Sequence, residues 1–440
     1  MIVTPPMSTF LAKLPAGRAE AALPDKKPPM SAAEAKLEAE RCLYCADAPC
    51  TQACPTSIDV PGFIKRIASG NVCGSARLIF AQNLLGTSCS RVCPVEVLCE
   101  GACVLEAWQH KPIAIGRLQR FATETARREA PGLLAPGARG GKRVACVGSG
   151  PASLAFDATL ALEGHEATVY ERRALPGGLN TTGVAPYKLH ADAALAEVDW
   201  VASLGVRIRT SVEIGRDVAA AQLLAEHDAV FLGLGLGEDT KLGIPGEDGP
   251  GVVGATAWIE DVKLRGCAQP PLGHVVVVGG GNTAIDVARE CAQLGAASVT
   301  MVYRRAPADM SGYAHEMEAA RKDGVALVAH ARPSAVIRDA AGVVKALRVT
   351  VAGAERDLPC DLVAMAIGQS KLRAVATQFP GVALDARGCV VADPTTGTTG
   401  HPKVFSGGDC VNGGKEVVNA VAEGRNAARH LLRTWSGTHG

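Results

Sequence analysis

Two textures divide this chain. From Ser31 to about residue 128, apolar positions recur at helical spacing. The first stretch, Ser31-Ala-Ala-Glu34 onward, carries a capping-box pattern and predicts a helix that delivers Cys42 and Cys45 at its end. Residues 1–30, rich in Pro, Ala and Lys, read as an extended arm. A Pro/Gly linker from Ala130 to Gly141 follows. Beyond it the pattern becomes short apolar strands, each leading into small residues and then a helical stretch. Arg143–Val147, Ala167–Tyr170, Val275–Val278 and Val299–Tyr303 are the predicted strands. Val404-Phe-Ser-Gly-Gly-Asp409 reads as a further strand and small-residue turn, and Lys415–Leu432 as a helix.

The strand–turn–helix units carry chemistry. Gly148-Ser149-Gly150-Pro151-Ala152-Ser153 follows the first strand, and Glu171, 23 residues after Gly148, ends the next. Glycines there allow a tight turn and close approach of a pyrophosphate, helix N-terminal amides donate to it, and the distal acid binds a ribose. Serine at the third position is a small departure from Gly or Ala. Pro176-Gly177-Gly178-Leu179 suggests another close backbone approach. The second unit, Gly279-Gly280-Gly281-Asn282-Thr283-Ala284, is followed by a strand ending in Arg304-Arg305. A basic residue there suits a 2′-phosphate, so the bare chemistry leans to NADP; a solvated charge pair is the bland alternative. Two such units with a terminal strand–Gly-Asp–helix form the layout of two-dinucleotide flavoproteins. FAD lies on the first unit and the C-terminal segment, and the nicotinamide on the inserted second unit. Ala366-Ile367-Gly368-Gln369 marks the crossing back.

Cysteine changes the picture most. Nine of the 15 cysteines lie between Cys42 and Cys103. They fall as Cys42-x2-Cys45-x4-Cys50-x3-Cys54-Pro, and as Cys89-x3-Cys93-Pro with Cys99-x3-Cys103. A disulfide framework belongs to small secreted domains, and no secretory leader is evident. Crowded thiols followed by proline favour iron–sulfur clusters over zinc, at four ligands per cubane. Cys99 and Cys103, four apart, are expected to share a helix face, and Cys73 to be a small buried hydrophobe. Spacing alone selects Cys89 as an eighth ligand. Cysteines 146, 267, 291, 360, 389 and 410 offer no close redox pair.

Charge excludes little more. Lys+Arg numbers 45 against 44 Asp+Glu, a net +1, which argues against a bulk nucleic-acid binder. No apolar run is long enough for a membrane span, so a cytoplasmic location is expected. Forty-nine glycines suit nucleotide-binding α/β domains. A nicotinamide site, a flavin and cubanes in one chain make an electron carrier, since flavin converts hydride into single electrons. No catalytic side chain is expected.

Cys42-Leu-Tyr-Cys45-Ala-Asp-Ala-Pro-Cys50, Gly86-Thr-Ser-Cys89-Ser-Arg-Val-Cys93-Pro94 and Pro112-Ile-Ala-Ile-Gly-Arg-Leu-Gln-Arg-Phe121 resemble dihydropyrimidine dehydrogenase. In length the chain resembles the FAD-carrying subunit of the bacterial NAD-dependent enzyme. The glutamate synthase small subunit shares the architecture and is the nearest rival. The resemblance implies a helical iron–sulfur domain at 31–140 and an FAD domain at 141–237 and 370–440. An NAD(P) domain inserted at 238–369 completes the α/β pair of Rossmann-like units. It implies one [4Fe–4S] cluster on Cys42, Cys45, Cys50 and Cys103, and another on Cys54, Cys93, Cys99 and Gln119. Glutamate synthase relatives tend to carry Glu at the last position. Read from the residues alone, Gln119 is a polar residue on a helix surface. FAD contacts are implied at Gly148–Ala152, Glu171–Leu179, Lys188, and Gly408-Asp409 through Lys415, Glu416 and Val417. Nicotinamide contacts are implied at Gly280–Thr283, Arg304, Arg305 and Ala366–Gly368. The NADP-using members have an arginine where this chain has Ser311, which favours NAD. The implied partner is an FMN-containing, pyrimidine-reducing subunit with further clusters. A zinc-stapled nucleotide-binding scaffold is the alternative of a different class.

Overall fold

The computed structural model describes residues 10–138, 140–265 and 272–437. The five longer helices of the N-terminal domain are α1 (Ala32–Glu40), α2 (Val60–Ala68), α3 (Val72–Gln82), α4 (Gly86–Val92) and α5 (Ile115–Glu129). The capping box at α1 is formed: Ser31 Oγ accepts from the Glu34 N–H, and Glu34 accepts from the Ser31 N–H. Asp59 and Asn71 cap α2 and α3 by accepting the Gly62 and Gly74 N–H groups. Phe63, Ile64, Ile67, Ile79, Leu118 and Ala122 form the core between these helices.

The chain then enters a parallel sheet through β1 (Arg143–Val147), β2 (Glu166–Glu171), β3 (Arg207–Thr210) and β4 (Ala229–Leu232). Helices α6 (Pro151–Leu162) and α7 (Ala191–Ser203) pack on it. A second sheet follows, from β5 (Val252–Gly254), β6 (His274–Val278), β7 (Ser298–Val302) and β8 (Ala326–Val328). Its helices are α8 (Asn282–Gln293) and α9 (Ala314–Lys322). Three antiparallel strands, β9 (Ala331–Arg338), β10 (Val344–Val351) and β11 (Ala354–Pro359), form a small extra sheet. Then β12 (Leu362–Met365) returns to the second sheet, between β5 and β6.

The last strand, β13 (Val404–Ser406), goes back to the first sheet beside β4, giving the order β13-β4-β1-β2-β3. The second unit is therefore inserted in the first. The two crossings pair with each other: Gly237 N–H donates to Ser370 O, and Thr240 N–H to Gly368 O, both at 2.9 Å. The terminal helix α10 (Val417–Ser436) lies against α6. A Cβ on Gly424 would stand 2.0 Å from the Ala152 carbonyl, so only glycine permits this approach.

Three expectations need correction. Residues 10–30 are not a free arm. Two single-turn helices punctuate them, and Glu20, Lys26 and Lys27 reach the Ala191 N–H, Glu316 and the Cys93 carbonyl. Charged side chains thus strap the segment to all three domains. Cys99 and Cys103 do not share a helix: the Glu100 and Gly101 N–H groups both turn back to the Val95 carbonyl. Gly101 makes that turn possible, since a Cβ there would lie 2.0 Å from Glu96 O. Cys73 sits in the first turn of α3 and is only half-buried. Residues 1–9, Arg139 of the linker and Cys267 lie outside the described residues.

One buried carboxyl generates a prediction. Asp157 on α6 is fully buried, accepts from the Cys146 thiol at 3.0 Å, and leaves Oδ2 without a partner. Burial pushes it up to about 7 from 3.8. The folded state thus binds a proton that the unfolded state releases, so stability falls as pH rises from about 4 to about 7. The total is on the order of 4 kcal/mol. Asp157→Asn should gain stability over the parent, and the gain should be larger at pH 8 than at pH 5. Urea denaturation at the two pH values checks this; an equal difference at both would contradict it.

Candidate functional site

The turn after β1 is built for close approach. Gly148 has φ +92°, and a Cβ on it would lie 2.5 Å from Gly233 O. Gly178, at φ +56°, packs against Gly150, 2.8 Å from its Cα to where a Cβ would be. Glu171, at the end of β2, is buried; its Oε2 accepts from Ser149 N–H at 3.0 Å and Ser149 Oγ at 2.6 Å. These residues open on a cavity of about 480 Å³ that Pro151, Ala152, Leu179, Gly408 and Asp409 also line. Gly177 does not line this cavity; its N–H donates to Ser149 Oγ and holds the turn from behind. Burial raises the pKa of Asp409, against the Lys415 N–H that it accepts.

A second, larger cavity of about 910 Å³ joins the two α/β domains. One wall is Gly280, Gly281, Asn282 and Thr283 at the start of α8, with Arg304, Arg305 and Ser311. Ala366, Ile367 and Gly368, on the crossing back, form another. The wall from the first α/β domain holds Pro151, Leu179, Lys188, Asp409, Lys415, Glu416 and Val417. Lys188 is thus placed at the junction and not in the smaller cavity. Its Nζ lies 2.7 Å from Asp286 and 3.1 Å from Glu316. Glu416 accepts from Tyr313 OH across the domains at 2.8 Å, and burial raises its pKa. Val92 and Pro94, which bracket Cys93, complete the lining.

The cysteines converge in two places. Cys42, Cys45, Cys50 and Cys103 ring one small cavity whose other walls are Val60, Pro61, Ile64, Ile113 and Ile115. Burial pushes the Cys50 thiol up to about 11, and the neighbouring Cys103 and Cys42 add to it. Thiols crowded this way ionise only when a metal centre takes their protons. Cys99 is raised by burial, by Glu100, and by the charges of Cys93 and Cys54. Cys93 is raised by a hydrogen bond with Cys89 and by burial. Among the described residues no three His, Cys, Asp or Glu side chains meet as ligands of a single ion would.

Gln119 is 8% exposed on α5, not on a helix surface. Gly116, one turn earlier on the same face, packs on Val95, Ser90 O and Glu100, which are near Cys93 and Cys99 in sequence. Gln119 Nε2 donates to Gly86 O at 2.7 Å, which fixes the amide.

Known proteins share this arrangement. The family described as dihydropyrimidine dehydrogenase domain II, 4Fe-4S cluster, matches residues 20–131. The pyridine nucleotide-disulphide oxidoreductase family matches residues 142–424. The chain belongs to these flavin and iron–sulfur oxidoreductases. It is 35% identical to the NAD-dependent dihydropyrimidine dehydrogenase subunit PreT of Escherichia coli K12, over 90% of this chain and 92% of that one. It is 33% identical to the Escherichia coli K12 glutamate synthase [NADPH] small chain, over 92% of each. The α/β architecture is shared as fold alone: T. acidophilum thioredoxin reductase superposes with a TM-score of 0.56 at 20% identity, over 67% of this chain and 100% of that one.

The family's cofactors fit the residues present. The thiol-ringed cavity suits an iron–sulfur cluster, and the glycine cradle with buried Glu171 suits FAD. Sequence reasoning missed the strand-end run Gly233-Leu-Gly-Leu-Gly237 and Asp239, which line the smaller cavity; small residues at the end of an apolar strand were the available signal. Tyr313 and Val92 carried no such signal.

For the second cysteine group, Cys89→Ser and Cys73→Ser should retain the iron of the parent, and Gln119→Leu should perturb one cluster. Iron and acid-labile sulfide analysis with EPR of the reduced protein checks this. Loss of a cluster in Cys89→Ser, with Gln119→Leu unaffected, would give the place to Cys89.

Proposed function

We propose that this chain is the electron-transfer subunit of an NAD-dependent dihydropyrimidine dehydrogenase, feeding an FMN-containing partner that reduces uracil or thymine. The observation that carries the electron path is the larger cavity: one wall comes from the α8 glycine turn, one from the flavin domain, and one from the residues bracketing Cys93. FAD bound there would take hydride and release single electrons. The chain's own residues bind and orient. Gly148–Ala152, with Gly178 and Glu171, hold the dinucleotide, and Gly280–Thr283 present amides to the nicotinamide dinucleotide's phosphates. Cys54, Cys93, Cys99 and Gln119 hold the cluster nearest the cavity. Cys42, Cys45, Cys50 and Cys103 hold the one beyond it. The division into 31–140, 141–237 with 370–440, and 238–369 follows the same reading.

Gln119 favours this member of the family over glutamate synthase, whose relatives tend to have Glu. Ser311, at the cavity wall in place of arginine, favours NAD. Arg304 supports the second reading, an NADPH-oxidising glutamate synthase small subunit: it is exposed at the cavity and could meet a 2′-phosphate.

Anaerobically purified protein should hold about eight irons per chain, as two four-iron clusters. These 440 residues are used by the clusters and two interleaved dinucleotide units. A pyrimidine-reducing barrel needs about 250 more. The chain should therefore oxidise NADH with a one-electron dye and make no dihydrouracil. Adding an FMN-barrel partner should restore uracil reduction. Dihydrouracil formation by the chain alone at the rate of the complex would refute the subunit reading, and glutamate formation with an amidotransferase partner would select the second.

A further inference from the structure

Lys188 belongs to the flavin domain, yet its counterions do not. Asp286 is on α8 and Glu316 on α9, both of the nicotinamide domain. The ammonium is 11% exposed. Burial opposes its charge, but the two carboxylates outweigh burial and its pKa is raised. Each carboxylate is shared. Tyr187 OH also donates to Asp286 at 2.5 Å. Lys26 of the N-terminal strap reaches Glu316 Oε1 at 2.6 Å, and Arg289 reaches Oε2 at 3.1 Å. Asp323 in turn pairs with Arg289 at 2.7 Å. The cluster pairs three cations, Lys188, Lys26 and Arg289, with three carboxylates, Asp286, Glu316 and Asp323. What it does is fix one ammonium at a chosen place. Lys188, Asp286 and Glu316 all line the larger cavity, where the walls of the flavin and nicotinamide domains meet.

We propose that Lys188 sets the reduction potential of the bound flavin electrostatically, and that Asp286 and Glu316, reaching over from the nicotinamide domain, are the positioning residues that hold it charged and partly offset its field. The proposal rests on the functional reading above and deepens it. A hydride moved from NADH brings two electrons and one proton, hence one net negative charge, onto a neutral ring. NAD⁺ would be left behind, and the proton would stay on the ring. A nearby fixed cation favours that charge, and nearby carboxylates oppose it. Because the carboxylates ride on the other domain, the position of the nicotinamide domain is coupled to how easily the flavin is reduced.

The alternative is that the network only fastens the domains together. The sign of the effect separates the two. The full-length holoprotein would be titrated spectroelectrochemically, with FAD content and melting temperature recorded for each variant. At a fixed solution potential, Lys188→Met should lower the reduced-to-oxidised flavin ratio about tenfold, which is about 30 mV for a two-electron couple. Glu316→Gln and Asp286→Asn should raise the ratio, and Lys188→Arg should stay near the parent. A fastening role would instead shift lysine and carboxylate variants in the same direction, or leave the potential unchanged while stability drops; either result overturns the proposal. If Lys188→Met does not retain FAD, the carboxylate variants decide: no rise in either one overturns it. A parent protein that binds no FAD and does not oxidise NADH would instead sink the functional reading itself.

Discussion

The carboxylate of Glu197 fastens the cysteine-bearing helix α4 to the flavin domain. It reaches from α7, almost fully buried, and accepts the Thr87 N–H at 2.9 Å and the Ser88 N–H at 3.2 Å. Those amides belong to the first turn of α4, where no intrahelical acceptor exists. A carboxylate there also faces the positive end of the helix. Burial raises its pKa, but Arg127 and the Ser88 and Thr87 N–H groups oppose the rise. Everything downstream depends on this contact, because α4 carries Cys89 and leads into Cys93. Moving the helix would move the thiol away from the cavity that Val92 and Pro94 line. Two further buried cations reinforce the placement. Lys27 Nζ donates to Cys93 O at 2.6 Å, and Arg425, from α10, donates to Thr56 O at 2.7 Å, two residues after Cys54. Neither uses a carboxylate. Both hold backbone carbonyls of the cysteine loops, so geometry is fixed without adding a neutralising anion.

The α/β half was legible because its signals are local. A strand of valines must end somewhere, and glycine at that end has one main use. Thus β1, β2, β6 and β7 fall where alternation and apolar runs put them, and the turn residues from Gly148 and Gly280 do line cavities. The capping box at Ser31 is equally local. The hidden parts depend on chain segments far apart in sequence. Cys99 and Cys103 look like an i, i+4 pair, but Gly101 allows a tight turn that sends the two thiols to different neighbours. Gln119 reads as a solvent-facing polar residue until α4 covers it. Lys26 and Lys27 read as ordinary solubilising charge, and only the fold supplies Glu316 and the Cys93 carbonyl as partners. The antiparallel strands β9–β11 have no chemistry-bearing pattern, and they left no mark on the functional reading.

The two cysteine groups differ in surroundings, and the difference suits an ordered path. The group of Cys54, Cys93 and Cys99 sits between the flavin domain and the helices, among Lys27, Arg425, Glu96 and Glu100. The group of Cys42, Cys45, Cys50 and Cys103 has aliphatic walls, and Leu43 between its first two thiols is 49% exposed. On the proposed reading the first group is the inner station, beside the cavity and enclosed, and the second is the outer one, close to solvent. The polypeptide makes the two adjacent in the simplest way available. Cys50 and Cys54 are one helical turn apart around the short helix Pro49–Gln52, and the Cys99–Cys103 turn spans the same gap from the other side. Each group therefore takes thiols from both sequence runs, and neither can form until the runs have folded together. On the same proposed reading, loading of the outer group is coupled to docking of the inner one, and through α4 to the buried carboxylate of Glu197.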